Sequence, residues 1–151
     1  MKKSSYIMAT VVLASLASGG VQAAVSSTHT SENKIDFTAE GWHLSAKMSE
    51  FKSGNKVLRG ATLAFKDGVV KAGSSSNISV APTKSDVLFD NTDSKPFMNA
   101  MDKGGRGTWV TVWSGTDQAN EAVQLNVVAG TPEANTEYTS SITWELADAP
   151  K

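Results

Sequence analysis

Residues 137–146 read EYTSSITWEL, a run in which every second side chain changes character. Strand side chains point alternately to the two faces of a sheet, so Trp144 and Leu146 share one face and Glu145 lies on the other. The stretch therefore predicts a β-strand with one face turned to a core. The same pattern recurs upstream. In WHLSAKM (42–48), Trp42, Leu44, Ala46 and Met48 fall on every second position, with His43 on the opposite face. TWVTVW (108–113) and AVQLNVV (122–128) also alternate, and Val87 to Phe89 is a shorter run of the same type.

Turn residues separate these runs. KSGNK (52–56) is a turn by composition. In ATLAFKDGVVK, Asp67-Gly68 suits the positive-φ positions of a type I′ turn and predicts a hairpin joining Leu63 and Phe65 to Val69 and Val70. AGSSSN (72–77) reads as a loop, and Ile78 to Val80 as a short strand before Pro82. KPFMNAMDKGG (95–105) has no clear period and is expected to hold one helical turn or a loop. Many short strands without an amphipathic helix of useful length define an all-β chain, an antiparallel β-sandwich or barrel-like single domain.

Lys2 and Lys3 precede an apolar stretch from Ile7 to Leu16, and Val21-Gln22-Ala23 offers the small residues of a cleavage site. Residues 1–23 thus read as a signal peptide, and the mature protein as secreted. That apolar run is shorter than the roughly 20 residues a membrane span needs, and no later segment comes closer, so no transmembrane segment is expected in the mature form. Residues 24–40 are expected to be a flexible lead-in, polar over AVSSTHTSEN with a possible first strand in KIDFTAE, and 41–151 to form the β domain.

Without Lys2 and Lys3 the 14 basic side chains fall to 12 against 15 acidic ones, a net charge of −3. Nucleic acid and anionic membranes call for clustered Lys and Arg, so neither is an expected partner. The chain has no cysteine, which leaves packing rather than disulfides to hold an exported domain together and removes thiol nucleophiles. Its two histidines, His29 and His43, support neither a catalytic triad nor a His-rich metal site. DNTD (90–93) lacks the full frame of a calcium loop. We therefore expect no enzyme, no metal and no cofactor.

The four tryptophans, Trp42, Trp109, Trp113 and Trp144, all lie in alternating strands. Trp109 and Trp113 fall on one face with Thr111 between them, leaving Val110 and Val112 on the other. Each indole has two uses: filling a sandwich interior, or forming an exposed platform for sugars or a partner. Trp109 and Trp113 are the better platform candidates. Lys103 and Arg106 beside Gly104-Gly105 are loop charges that could also meet carboxylates of a polymer.

Trp42-His43-Leu44 and Trp144-Glu145-Leu146 resemble the paired motif of the WxL domain of Gram-positive bacteria. GWHLSAKMSEF (41–51), LRGATLAF (58–65), GRGTW (105–109) and VQLNVVAGTPEANTEYTSSITWELADAP (123–150) extend the similarity in order along the chain. The resemblance implies a non-catalytic protein of the cell surface, attached non-covalently to peptidoglycan. It also implies assembly with other surface proteins and roles in adhesion. The two motifs become the implied binding residues, Trp42, His43, Leu44, Trp144, Glu145 and Leu146. In one respect the chain departs from the family: only KIDFTAE stands between the lead-in and Gly41. A sandwich so shortened is expected to keep an open edge, covered by a partner strand or a second copy. Two other readings remain open, a subunit of a surface fibre completed by a neighbour's strand and a small glycan-binding lectin.

Overall fold

The computed structural model describes residues 5–12, 41–75, 77, 79–115 and 121–147. Within them the chain forms strands and no helix. The strands are β1 (Ser5–Val12), β2 (Trp42–Met48), β3 (Lys52–Ser53), β4 (Lys56–Val57), β5 (Thr62–Phe65) and β6 (Val69–Ala72). They continue with β7 (Thr83–Lys84), β8 (Val87–Phe89), β9 (Lys95–Ala100), β10 (Trp109–Val112), β11 (Val123–Asn126) and β12 (Thr139–Ala147). Every pairing between them is antiparallel.

The largest sheet runs β4-β3-β12-β2-β9-β7, with β1 along the remaining side of β12. β2 and β3 lie on the same side of β12. After Met48 the chain steps out for three residues, and Lys52 rejoins opposite Thr139. Serines stitch this step: the Ser141 N–H donates to Ser49 Oγ (2.9 Å) and the Ser140 hydroxyl donates to the Ser49 carbonyl (2.6 Å). A three-stranded sheet, β11-β5-β8, and the β10-β6 ribbon cover the inner face of the large sheet. The all-β sandwich-like reading thus holds.

The core forms where these layers meet. Trp42, Ala46, Met48 and Ile142 come from the large sheet, and Leu63, Val87 and Phe89 face them from the smaller one. Phe97 of β9 joins the layers, with its ring centroid 5.5 Å from Phe65, 5.8 Å from Phe89, 6.1 Å from Trp113 and 4.6 Å from Trp144. Most of these contacts are edge-to-face, the arrangement that aligns ring edges with the electron-rich faces.

This strand corrects the expectation of a helical turn or loop over residues 95–100, while 101–105 do form a turn, the Gly104 N–H donating to the Met101 carbonyl (2.9 Å). β9 escapes the alternation rule because it is bulged: Leu44 pairs with Met98 and Ser45 with Pro96, which leaves Phe97 as the extra residue. A bulge lets two consecutive side chains turn the same way, and Phe97 and Met98 are both buried. It also accommodates Pro96, whose missing N–H would otherwise interrupt a central ladder.

The expected hairpin at Asp67-Gly68 is likewise corrected. Asp67 does take a positive φ of 53°, yet β5 pairs with β11 and β8 while β6 pairs with β10. The corner carries the chain from one sheet to another. Two bonds pin it, from the Asp67 N–H to Asp86 Oδ1 (3.1 Å) and from the Lys66 N–H to the Ala122 carbonyl (2.8 Å). Gly68 serves close approach here, since a Cβ would stand 2.7 Å from Trp113 Nε1. Asn77, Ser79 and Val80 are outside any strand, which corrects the short strand expected there, and Ile78 lies outside the described residues. The lead-in and the proposed cleavage site also lie outside them. Among the described residues no helix is long and apolar enough to cross a membrane.

If Phe97 is the joint between the layers, Phe97→Ala costs about 3–5 kcal/mol, a large share of the roughly 5–15 kcal/mol of a typical domain. Urea unfolding followed by tryptophan fluorescence measures this, and a loss below about 1 kcal/mol contradicts it.

Candidate functional site

The antiparallel pairing of β2 and β12 brings the two W-x-L motifs side by side, although about a hundred positions separate them in the chain. Leu44 stands directly opposite Leu146, Trp144 opposite Ala46, Glu145 opposite Ser45 and His43 opposite Ala147. The period of two then sorts the motif. Trp42, Leu44, Trp144 and Leu146 belong to the inner row, while His43 and Glu145 sit on the outward face of the sheet.

Each tryptophan has its own setting. Trp42 is only 7% exposed, and its Nε1–H donates to the Gly105 carbonyl at 3.1 Å. Gly105 holds a φ of 64°, and a Cβ there would lie 2.6 Å from Trp42 Nε1 and 2.5 Å from the Ala100 Cβ. Gly105 therefore answers two demands at once, a left-handed backbone and room for the indole. Trp144 is half-buried with its ring on Phe97. Trp113 packs on Phe65 at 5.3 Å and on Phe97, and its buried Nε1 has no hydrogen-bond partner among the described residues. Trp109 is half-buried at the rim and donates from Nε1 to the Arg106 carbonyl (3.1 Å). Trp109 and Trp113 thus lie against the core cluster, while Val110 on the outer face of β10 is 44% exposed.

On the outward face, the pairings align Asn99, His43 and Ala147 across three strands, and Pro96, Ser45 and Glu145 in the next row. The result is a mainly polar row over an apolar inner one, in which His43, Asn99 and Glu145 are half-buried and Ser45 is buried. The sequence reading named His43 and Glu145 but missed Asn99 and Ser45, because their adjacency comes from strand order and the β9 bulge. The Lys103 and Arg106 loop lies beside Trp42 and Trp109 instead, through the Gly105 and Arg106 carbonyls.

The DNTD segment is a tight, internally bonded turn. Lys95 Nζ lies 2.9 Å from Asp90 Oδ1, and the Asp93 N–H donates to Asn91 Oδ1 (3.0 Å). The hydrogen bond from Lys95 holds the Asp90 carboxyl below its usual range. Among the described residues no group of three or more His, Asp or Glu side chains is placed to hold a metal ion. At the Met48 end of β2, a separate groove of about 320 Å³ is lined by Glu50, Arg59, Asp90 and Asn91, among others. No pattern in the sequence joins those four, which come from three separate segments.

The sequence profile of the WxL domain, a surface cell wall-binding domain, matches residues 24–150. The chain belongs to the WxL family. Its domain is thus of a cell-wall-binding type, found at the surface. Comparison with curated proteins and with solved structures gave no match.

Gly105→Ala should lower stability by roughly 2 kcal/mol or more, combining left-handed strain with overpacking against Trp42. A thermal melt with tryptophan emission as the signal tests this. An unchanged midpoint shows that the indole relaxes freely, contrary to the packing described.

Proposed function

We propose that the protein is exported, loses residues 1–23, and attaches non-covalently to a cell-wall polymer through the outward face of β2 and β12. The observation that carries this reading is the register that places both W-x-L motifs on adjacent strands of a domain matching a cell-wall-binding family. Within each motif the division of labour follows from the pleat. Trp and Leu anchor the strand from inside, and the middle residue, His43 or Glu145, meets the polymer.

Peptidoglycan and its attached polymers offer hydroxyl, amide and carboxylate groups. Such groups suit a face carrying His43, Asn99 and Glu145, with hydrogen bonds rather than covalent chemistry supplying the affinity. Binding alone accounts for the arrangement, and no enzymatic step is assigned. Attachment of this kind leaves the rest of the domain available to other surface proteins, in surface assembly or adhesion.

Co-sedimentation with Gram-positive sacculi tests the proposal, using sacculi with and without their secondary polymers and chitin as control. Wild type should sediment saturably with sacculi and not with chitin. The His43→Ala/Glu145→Ala double variant should bind about tenfold more weakly while melting nearly as wild type, the loss of about 1.4 kcal/mol being that of one or two polar contacts. Trp144→Ala should instead lose about 3–5 kcal/mol of stability. A protein that stays in the supernatant with every sacculus rules the attachment out.

A further inference from the structure

In the large sheet β12 has β2 and β3 on one side and β1 on the other, so among the described residues β1 alone covers its outer edge. The cover extends over eight residues, from Ser5 opposite Leu146 to Val12 opposite Thr139. Those eight residues belong to the segment proposed to leave on export. Their departure bares the N–H and C=O groups along the strand that carries the second W-x-L motif. Long straight edges of this kind recruit another strand unless something blunts them. β12 has no proline within it, and its only charged residue is Glu145.

The register of β1 states what fits there. Ile7, Ala9 and Val11 stand opposite Trp144, Ile142 and Ser140, so the edge takes an extended segment with apolar residues at every second position. In the mature chain Lys34–Glu40, KIDFTAE, has that pattern in Ile35, Phe37 and Ala39. Residues 24–31, AVSSTHTS, do not.

A molecule cannot use its own residues 34–40 in this register. A strand antiparallel to β12 finishes at the Thr139 end, roughly 26 Å along the strand from the Ala147 end, where β2 begins. Glu40 is bonded directly to Gly41, which precedes β2. In this register the segment can therefore serve only another copy.

Charge selects between the two registers that keep Ile35, Phe37 and Ala39 inward. Ile35 opposite Leu146 puts Asp36 against Glu145, a like-charge pair. Ile35 opposite Trp144 instead puts Lys34 against Glu145, an opposite-charge pair, and Ala39 opposite Ser140.

We propose that leader removal uncovers the outer edge of β12 as a strand acceptor, and that Lys34–Glu40 of a second copy occupies it, with Lys34 opposite Glu145. This rests on the reading that residues 1–23 are removed. Because every copy then carries one donor and one acceptor, contacts are head-to-tail and grow into open chains unless two copies exchange strands reciprocally.

The full chain is secreted from a Gram-positive host, its intact mass is read, and sedimentation velocity is run over a roughly hundredfold concentration range. A processed mass with dimers and longer species that grow with concentration is expected. Phe37→Asp should abolish these species. Lys34→Glu and Glu145→Lys should each weaken association about fivefold to tenfold, and mixing the two variants should restore heterodimers, because the reversed charges at the two positions attract again. A processed chain that remains monomeric throughout, or association unaltered by Phe37→Asp and by both charge reversals, overturns the proposal and leaves leader removal standing. A mass that still includes residues 1–23 overturns leader removal itself, and with it the uncovered edge.

Discussion

The pairing of β2 with β12 is the constraint on which the other elements depend. It joins segments about a hundred residues apart, and closing so long a loop costs conformational entropy before any contact offsets it. The compensation is the continuous apolar row of Trp42, Leu44, Ala46, Met48, Ile142, Trp144 and Leu146. A slip of one residue would turn either strand's apolar set to solvent, so the register with Leu44 opposite Leu146 is strongly specified. Once it forms, β9 and β7 extend the sheet from β2, while β3 and β1 complete the two sides of β12.

The aromatic residues hold this seam from its inner side. Phe97 reaches the inner row through the β9 bulge and meets rings from both covering layers, Phe65 and Phe89 from one and Trp113 beside the other. Trp42 is held from the other end of β2 by its hydrogen bond to the Gly105 carbonyl. The motif residues thus fix the backbone of the two strands, and the residues between them inherit a fixed position on the outward face. A W-x-L motif in this setting sends two apolar side chains inward and one between them outward.

Much of this was legible in the sequence wherever alternation was undisturbed. β2, β8, β10, β11 and β12 follow from a period of two, and the turn at Gly54-Asn55 from its composition. β9 was not legible, because a bulge destroys the period that marks a strand and because Pro96 argues locally against one. The Asp67-Gly68 corner resists a local reading for a related reason. Its positive φ is a property the residues do predict, whereas the partner of the strand that follows depends on which sheet is within reach.

The family resemblance was legible for the same reason as the strands, since W-x-L is a short local pattern and the family profile covers residues 24–150. The amino-acid sequence by itself determined which residues alternate, where the chain turns, and that an all-β domain without cysteine depends on packing. Only the tertiary structure decided that the two motifs adjoin, that Phe97 unites the layers, and that His43, Ser45, Asn99 and Glu145 share one face. Periodicity is a relation between neighbours in the chain, but strand order and register are set by side chains that meet only after the chain has folded.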